Sequence, residues 1–587
     1  IKDRQGEGKA LGNLGNAYQN LGDYPKAIEY LQQWLAIVRE IKDRQSEGKA
    51  LGNLGIAYDS LGDYPKAIEY YKQDLAIARE IKDRQSQGDA LNNLGYTFYK
   101  QGNLLIAESN LIEGMKVKES LRSGLKDSEK VSIFDTQGNT YRTLQQVYIA
   151  QNKTDAALEI AERGRARAFV ELLTSRLQTT NSLANIAQQV SVAQIKQIAH
   201  NEKATLVQYS IIYDYFKVQG KEQYKESELY IWVIKSTGEI IFRKADLKPL
   251  WQKENINLND LVDNTRLTIG VRSRAGGGII AQAAPGTNQT EKLQKLHQLL
   301  IKPIANLLPT DPNNRVIFIP QSGLFLVPFP ALKDENGKFL IEKHTILTAP
   351  SIQVLDLTHL QKQRSEMLHG TSLQNVLVVG NPTMPFVPLF PGEPPQQLPS
   401  LPGAELEAKD IAQQLNTHAI IGKQATKKAI AQKMPSAQII HFATHGILDD
   451  YRGLGSSLAF APEPSPNSPP KPGEINGLLT AEEILDMKLQ AELVVLSACD
   501  TGRGRITGDG VIGLSRSFIS AGVPSIMVSL WSVPDAPTAS LMTQFYTNFK
   551  QSRMDKAQAL RQAMLTIMKT HPNPRDWAAF TLIGESE

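Results

Sequence analysis

Two residues of this chain have the chemistry of a nucleophile and its base. Cys499 is the only cysteine among the 587 residues, and it lies between the apolar run VVLSA and the turn sequence DTG. His445 stands at the end of another apolar run, AQIIHFAT, and is followed by Gly446. A thiol attacks only as the thiolate, and its usual pKa of about 8.5 leaves little thiolate at neutral pH. A neighbouring imidazole would accept the thiol proton and later return it to the leaving group.

The same two segments offer donors for the negative charge that develops on a carbonyl oxygen under attack. Gly446 has no side chain, so a substrate carbonyl can approach its backbone closely. The amides of Gly446 and Cys499 are therefore predicted to form an oxyanion hole, in which each donor contributes about 3–4 kcal/mol. The alternative for Cys499 is that it is a small buried hydrophobic residue without a chemical role.

Alternating strands and helices in the second half of the chain are expected to position both residues. Short apolar runs between 375 and 531 alternate with helical stretches, the pattern of a mostly parallel sheet covered by helices on both faces. Ligands of such sheets bind beyond the carboxyl ends of the strands, where His445 and Cys499 both fall. Upstream, further β-rich runs are predicted over 204–216, 229–242 and 315–332.

The first part of the chain is built from a 40-residue repeat. The sequence IKDRQ recurs at residues 1, 41 and 81, each time followed by two helical patterns with a glycine-containing turn between them. Self-similarity at this period is typical of a helical solenoid. A fourth, degenerate unit is predicted over 136–173. The repeat resembles the tetratricopeptide repeat, lengthened by about six residues, at positions Leu14, Gly15, Tyr18, Gly22, Tyr24 and Ala27.

A solenoid of this kind forms a concave surface for a protein or peptide, so a regulatory partner on the repeats is expected. The alternative is a scaffold without a ligand of its own. Because the chain starts with Ile1 at a repeat boundary, we expect it to be trimmed, with upstream repeats missing. The apolar face of the first helix is expected to include Leu11, Leu14, Ala17 and Tyr18.

Three motifs in a fixed order carry a family resemblance. HFATHG at 441–446, VVLSACDTG at 494–502 and SLWSVPDAPT at 529–538, behind tetratricopeptide-like repeats, resemble the CHAT peptidases. The resemblance covers about residues 200–587. It implies a caspase- and separase-type cysteine endopeptidase whose dyad corresponds to His445 and Cys499. It also implies a protein effector as substrate, in prokaryotic defence or developmental signalling.

The repeats and the resemblance together predict the architecture. The expected fold class is an α-helical tetratricopeptide-repeat solenoid followed by an α/β caspase-like domain with a mostly parallel sheet. The predicted parts are about four repeats over 1–175, a helical linker over 176–203, an N-terminal pseudo-caspase-like part over 204–370 and a catalytic part over 371–587.

The resemblance also implies a substrate preference. LWSVPD is similar to the separase stretch whose aspartate seats an arginine side chain, so Asp535, together with Trp531, is predicted to line the S1 pocket. Asp500, next to the nucleophile, is a second candidate acid, whereas Ser497 stands where some relatives carry one. Cleavage after Arg or Lys is expected, because a buried carboxylate forms a bidentate pair with a guanidinium. The alternatives are that Asp535 caps the following helix and that Asp500 bonds its own turn.

Two arginine-bearing loops become self-processing candidates if the enzyme cleaves after arginine. RSRAGGG at 272–278 and GRGRITGDG at 502–510 are rich in glycine, which is typical of exposed loops. The candidate residues are Arg272, Arg274, Arg503 and Arg505.

The composition limits the remaining possibilities. The chain has 64 Lys and Arg against 60 Asp and Glu, and a net charge of +4 does not favour nucleic acid or an anionic membrane as a partner. No apolar run reaches the roughly 18 residues of a membrane span. A single cysteine excludes an intramolecular disulfide and a multi-thiolate zinc site, and it fits a cytoplasmic location. No cofactor or metal is expected. Two alternatives to a peptidase are a catalytically silent protein-binding scaffold and acyl transfer to a small molecule in a closed pocket.

Overall fold

The contacts within the chain divide it into two compact units. The repeat unit comprises residues 1–164 and 211–228, and the sheet unit comprises residues 165–210 and 229–587. The computed structural model describes residues 3–122, 125, 127–177, 190–218, 221–271, 274–275, 278–279, 288–369, 375–388, 394–449, 454–463, 477–498, 505–507 and 510–587.

The repeat unit consists of antiparallel helix pairs. Its helices start where an aspartate side chain accepts a backbone N–H of the first turn, at Asp3, Asp23, Asp43, Asp63 and Asp83. Gly22 and Gly62 end the first helices of the first two repeats with φ of 80° and 84°, a left-handed conformation that favours glycine. The helices are α1 (Arg4–Leu21), α2 (Tyr24–Glu40), α3 (Arg44–Leu61), α4 (Tyr64–Glu80), α5 (Arg84–Lys100), α6 (Leu104–Ser120), α7 (Asp127–Ala150) and α8 (Thr154–Arg163).

The predicted 40-residue period is confirmed, because α1, α3 and α5 begin at Arg4, Arg44 and Arg84. Burial nevertheless differs between the repeats. Leu54 is fully buried, whereas its counterpart Leu14 is 44% exposed. The difference follows from packing, since α3 contacts α1, α2, α4 and α5, while the contacts described for α1 are with α2 and α3.

A hairpin of two long strands, β1 (Ala204–Val218) and β2 (Lys221–Ile234), connects the two units covalently. Its outer part, residues 211–228, belongs to the repeat unit. There the Tyr96 hydroxyl of α5 donates a hydrogen bond to Asp214 Oδ1 at 3.0 Å. The Arg142 guanidinium of α7 lies over the Tyr213 ring, 5.3 Å from its centroid. The outer part of β1 is therefore held by two different repeat helices.

The sheet unit is organised by one large sheet. The described strands form an eleven-stranded sheet in the order β11-β8-β12-β16-β19-β20-β7-β6-β1-β2-β3. The further strands are β3 (Ile240–Asp246), β4 (Arg274–Ala275), β5 (Gly278–Ile279), β6 (Arg315–Ile319), β7 (Thr345–Thr348), β8 (Val376–Pro382), β9 (Phe386–Val387), β10 (Gln396–Gln397), β11 (Ala419–Gly422), β12 (Ile439–Ala443), β13 (Gly446–Ile447), β14 (Ser457–Ala459), β15 (Leu478–Thr480), β16 (Leu493–Leu496), β17 (Arg505–Thr507), β18 (Gly510–Ile512), β19 (Ser525–Ser529) and β20 (Phe580–Gly584).

The sheet is mostly parallel, as predicted. Strands β11, β8, β12, β16 and β19 pair in parallel, and so do β1, β6 and β7. Strand β20 is antiparallel to β19 and lies between the two parallel groups. Strands β12 and β16 are buried along their whole length, which explains their uninterrupted apolar sequences.

Helices cover the sheet and complete its core. Phe518 of one helix packs in the same buried cluster as Val494 and Ile440 of the strands. None of the helices that the structure describes combines the length and the apolarity needed to span a membrane. The helices are α9 (Arg167–Leu177), α10 (Val192–Asn201), α11 (Lys248–Lys253), α12 (Leu258–Ile269), α13 (Gln289–Leu300), α14 (Leu340–Lys343), α15 (Ile352–His369), α16 (Pro402–Gln414), α17 (Lys427–Lys433), α18 (Ala481–Leu485), α19 (Leu514–Ser520), α20 (Asp535–Lys550), α21 (Lys556–Thr570) and α22 (Pro574–Trp577).

Two of the predicted β-rich runs are shorter in the structure. The run 229–242 is divided between β2 and β3 by a turn in which Gly238 has a φ of 85°. The run 315–332 is a strand only in β6, because prolines follow and cannot donate to a strand ladder. Short 3-10 helices replace the strand there, at Ser322–Leu326 and Phe329–Ala331.

The different burial of the repeats predicts different costs for the same substitution. Leu54→Ala removes a fully buried side chain and should lower the free energy of unfolding by about 2–5 kcal/mol. Leu14→Ala, its matched control, should cost less than about 1 kcal/mol. Urea unfolding followed by the helical circular dichroism signal measures both. Equal costs would contradict the packing described for α1 and α3.

Candidate active site

The backbone around His445 is fixed at the carboxyl end of β12. The chain leaves the buried strand at Thr444, whose Oγ1 donates to the carbonyl oxygen of Ala459 at 2.5 Å. The Ala459 amide in turn donates to the His445 carbonyl at 2.9 Å. The next residue, Gly446, begins β13 and pairs antiparallel with Leu458. The backbone of His445 is therefore held on both sides, and the residue is half-buried.

The His445 ring is oriented by a backbone carbonyl. Its Nε2 lies 2.8 Å from the Pro399 carbonyl oxygen, which can only accept a hydrogen bond. Nε2 therefore carries the proton in the neutral ring, and Nδ1 keeps its lone pair. This tautomer leaves Nδ1 as the nitrogen that can act as a base.

Asn381, at the end of β8, tethers the loop that carries Pro399. Its Oδ1 accepts hydrogen bonds from the Leu401 amide at 2.8 Å and the Ser400 hydroxyl at 3.1 Å. Its φ of 42° is left-handed, a conformation that asparagine adopts more easily than most residues. Since β8 is the neighbour of β12, Asn381 connects the carbonyl that orients His445 to the adjacent strand.

A buried polar network lies within β12, four residues before His445. The His441 ring is fully buried, and its Nε2–H donates to Glu407 Oε1 of α16 at 3.0 Å. The Tyr546 hydroxyl of α20 donates to His441 Nδ1 at 3.3 Å. Burial, together with the negative charge of Glu407, raises the pKa of Tyr546, which keeps its hydroxyl a donor. His441 is thus a structural residue that joins two helices to the strand.

The segment that leads to the predicted nucleophile is described as far as Ala498. Strand β16 pairs in parallel with β12, with Leu496 opposite Phe442. The Ser529 hydroxyl of β19 donates to the Ala498 carbonyl, so this segment is tied to the next strand as well. The Ser497 hydroxyl is buried and has no hydrogen-bond partner among the described residues. Cys499 and Asp500 lie outside the described residues, so their predicted roles stay predictions.

The two residues predicted for the S1 pocket have different environments. Asp535 is the first residue of α20 and is exposed, and not buried as the predicted pairing with arginine assumed. Pro534 is the N-cap, and no side-chain hydrogen bond caps α20, so the capping alternative for Asp535 is wrong. Trp531 is fully buried, and its Nε1–H donates to the Arg575 carbonyl at 3.1 Å. Trp531 thus packs in the interior, and its predicted contact with substrate remains untested.

A close backbone approach fixes where Asp535 lies. A methyl group added to Gly403 in the first turn of α16 would lie 2.5 Å from the Asp535 Cβ, which is closer than carbon atoms tolerate. Glycine at 403 therefore allows α16 and α20 to bring their first turns together. The same helix, α16, begins three residues after Pro399 and carries Glu407.

Comparison with known proteins identifies the second half of the chain. The model of the CHAT domain matches residues 290–585, just over half of the 587 residues. The chain belongs to the CHAT-domain family. A tetratricopeptide-repeat model matches residues 7–80. The predicted fold class, helical repeats followed by a mostly parallel α/β domain, is therefore confirmed.

Two curated relatives and one solved structure are similar to this CHAT protein. Tetratricopeptide repeat protein 28 of Mus musculus is 25% identical and that of Homo sapiens is 26% identical, each over 83% of this chain and 24% of the relative. The chain thus spans about a quarter of the length of the curated relatives it matches. The separase–securin complex of Saccharomyces cerevisiae is 11% identical, with a TM-score of 0.45, and the match covers 100% of this chain and 47% of that chain.

Two of the four self-processing candidates of the CHAT protein lie in short hairpins. Arg274 belongs to β4, which pairs with β5, and Arg505 belongs to β17, which pairs with β18. Arg272 and Arg503 lie outside the described residues. Cleavage at any of the four remains a prediction.

Three residues that support the site are absent from the sequence-based prediction. Asn381, Pro399 and Glu407 act through contacts with residues 20 to 46 positions away. Only Asn381 carried a local signal, an Asn-Pro pair directly after an apolar run, which is typical of a turn.

The buried network predicts a selective loss of stability in the CHAT domain. Glu407→Ala would leave the buried His441 Nε2–H without its partner, and we expect a cost of about 2–4 kcal/mol. Asp410→Ala, on the exposed side of the same helix, is the control and should cost less than about 1 kcal/mol. Urea unfolding monitored by tryptophan fluorescence measures both values. A Glu407→Ala protein as stable as the control would show that the network is dispensable.

Proposed function

We propose that this CHAT protein is a cysteine endopeptidase in which Cys499 is the nucleophile and His445 is its base. The register of β12 and β16 carries this proposal. Phe442 is paired with Leu496, and His445 and Cys499 each stand three residues beyond their paired residue. Neighbouring parallel strands in register end at the same edge of a sheet, which favours a short distance between the two side chains.

The tautomer of His445 supports a specific sequence of proton transfers. Nδ1 accepts the Cys499 thiol proton, and the thiolate attacks the carbonyl carbon of the scissile peptide bond. The amides of Gly446 and Cys499 donate to the oxyanion of the tetrahedral intermediate. The imidazolium then protonates the departing amine, which leaves an acyl-enzyme. Water, deprotonated by the same nitrogen, then attacks the thioester. The carboxylic acid product is released, and the departing thiolate takes the proton back from the imidazolium.

The exposed carboxylate of Asp535 supports a preference for arginine at the cleavage site. An exposed ion pair contributes little to binding, so the proposal requires the substrate to cover this carboxylate on binding. A guanidinium then forms two parallel hydrogen bonds to it in a drier environment. Asp500 remains the second candidate for this role.

The hairpin of β1 and β2 supports regulation by the repeats. Its outer part is bonded to α5 and α7, and β1 continues into the sheet, where Thr205 pairs with Val316 of β6. A strand held in a ladder resists bending, so a protein or peptide that shifts α5 would pull on β1. We infer that a regulatory partner on the repeats acts through this hairpin.

Labelling with a thiol-reactive peptide probe that carries arginine at its reactive end tests the dyad. Intact mass should show one label on the wild type and none on Cys499→Ala. His445→Ala should label at least about 100-fold more slowly. Asp535→Asn should slow the arginine probe about tenfold or more, but not a probe with a neutral side chain; Asp410→Asn is the matched control.

The same experiment can reject the proposal. If His445→Ala is labelled as fast as the wild type, His445 is not the base. If Asp535→Asn slows both probes equally, Asp535 does not determine a preference for arginine. Absence of labelling by any peptide probe, also with repeat-binding partners added, would favour the scaffold alternative. Intact masses of wild type and Cys499→Ala also report self-processing, since full-length masses that differ only by the sulfur atom of the substitution exclude cleavage after Arg272, Arg274, Arg503 or Arg505.

The regulatory proposal predicts a remote effect of the hairpin contact. Asp214→Ala removes the acceptor for Tyr96 and the charge 4.0 Å from Lys100, so amides of 211–217 should exchange faster with deuterium. The labelling rate of Cys499 should change at least about twofold. Asp246→Ala, at the exposed end of β3, is the control. Faster exchange without any change in labelling would show that the hairpin does not transmit regulation.

A further inference from the structure

A cluster of metal-ligating side chains lies at the edge of the sheet opposite His445. Glu202 precedes β1 by two residues, Glu585 follows β20 directly, and His359 lies on α15. One donor atom of each residue lies within 4.8 Å of those of the other two. The cluster is at the amino ends of the parallel strands, because Gly584 is paired with Ser525, the first residue of β19.

Glu585 is held rigidly as a carboxylate. His359 Nδ1–H donates to its Oε2 at 2.8 Å, and the amides of Ser586 and Glu587 donate to its Oε1 at 2.9 and 3.2 Å. Glu585 therefore brings a fixed negative charge to the cluster.

Glu202 is the unsatisfied member. The residue is only 4% exposed, and its carboxylate accepts no hydrogen bond from any described residue. The nearby Arg315 guanidinium is engaged elsewhere, since it donates to the Glu202 backbone carbonyl at 3.3 Å, to Ser586 Oγ at 2.7 Å and to Glu587 Oε1 at 2.9 Å. A carboxylate in such a buried residue is costly to keep charged, so a proton or a cation would stabilise it.

We propose that Glu202, His359 and Glu585 bind one Zn²⁺ ion. Zinc binds both imidazole nitrogen and carboxylate oxygen, whereas Mg²⁺ and Ca²⁺ prefer oxygen donors alone. Two carboxylates also balance the charge of the ion. Donors about 2.0–2.2 Å from a tetrahedral zinc lie about 3.3–3.6 Å apart, so donor atoms that are up to 4.8 Å apart must move together by about 1–1.5 Å on binding.

Zinc binding requires the imidazole proton of His359 to move from Nδ1 to Nε2. Zinc takes the place of the proton on Nδ1, and the ring proton then resides on Nε2. The side-chain amide of Gln363 lies 3.0 Å from Nε2 and, turned by 180°, presents its oxygen to that proton. Such an outer hydrogen bond is the usual support of a metal-bound histidine. Any proton carried by Glu202 is released to solvent on binding.

The proposed ion would join three distant parts of the chain. Glu202 ends the segment before the first strand, His359 belongs to a central helix, and Glu585 follows the last strand. Since the cluster lies at the edge opposite His445, we expect a structural and not a catalytic role. The proposal is therefore independent of the proposed peptidase activity.

Zinc binding is measured on the full chain carrying Cys499→Ala, which removes its only thiol. The protein is stripped with a chelator, incubated with Zn²⁺, passed through gel filtration and analysed for bound metal. We expect about one zinc per chain, and at least a tenfold loss of affinity in Glu202→Gln and in His359→Gln. Glu366→Gln, also on α15 but exposed and paired with Lys362, is the matched control and should keep the zinc.

Thermal unfolding provides a second readout that does not depend on metal analysis. Zn²⁺ should raise the unfolding midpoint of the Cys499→Ala protein by about 2 °C or more, and it should leave that of Glu202→Gln unchanged. Without zinc, Glu202→Gln should unfold no earlier than its parent, because the substitution removes a buried charge. Failure of the parent to retain zinc, or equal zinc uptake and equal stabilisation in Glu202→Gln, would overturn the proposal.

Discussion

The pairing of β12 with β16 is the constraint on which the candidate site depends. Both strands are fully buried and, apart from His441, apolar, so their position in the sheet is determined by the core and not by the residues that follow them. Because the ladder is parallel and in register, the segments that begin with Thr444 and Ser497 leave the sheet at the same edge. A slip of one residue would turn the apolar side chains of a strand to its other face, which the packed core opposes.

The contacts that orient His445 come from elements that pack next to β12. The neighbouring strand β8 contributes Asn381, which tethers the loop of Pro399, and Pro399 selects the tautomer of His445. Helix α16 continues from that loop and is fixed to β12 by the buried pair of Glu407 and His441. The orientation of one ring thus depends on two strands and one helix. This arrangement lets a rigid sheet orient the half-buried ring of His445, the proposed base.

The sequence contains enough information for the strands and repeats, because their signals are local. Continuous apolar runs predict β12 and β16, and the recurring aspartate, glycine and proline positions predict the helix pairs. The capping box at Thr480 is likewise visible in four consecutive residues. Pro399 contacts His445 across 46 residues of sequence, and Glu407 contacts His441 across 34. No local sequence pattern predicts these contacts. The proposed zinc ligands Glu202, His359 and Glu585 are also far apart in sequence, and the expectation that no metal is bound stays a prediction.

The pH dependence of Cys499 alkylation tests the central claim most directly, because the chain has no other thiol. Iodoacetamide reacts with the thiolate, so the reaction rate follows the ionisation of Cys499. If His445 is its base, the wild-type rate should reach half its maximum well below pH 8.5, and His445→Ala should move this midpoint towards about 8.5. Superimposable profiles with a midpoint near 8.5 in both proteins would contradict the account, since they would show an ordinary thiol that His445 does not influence.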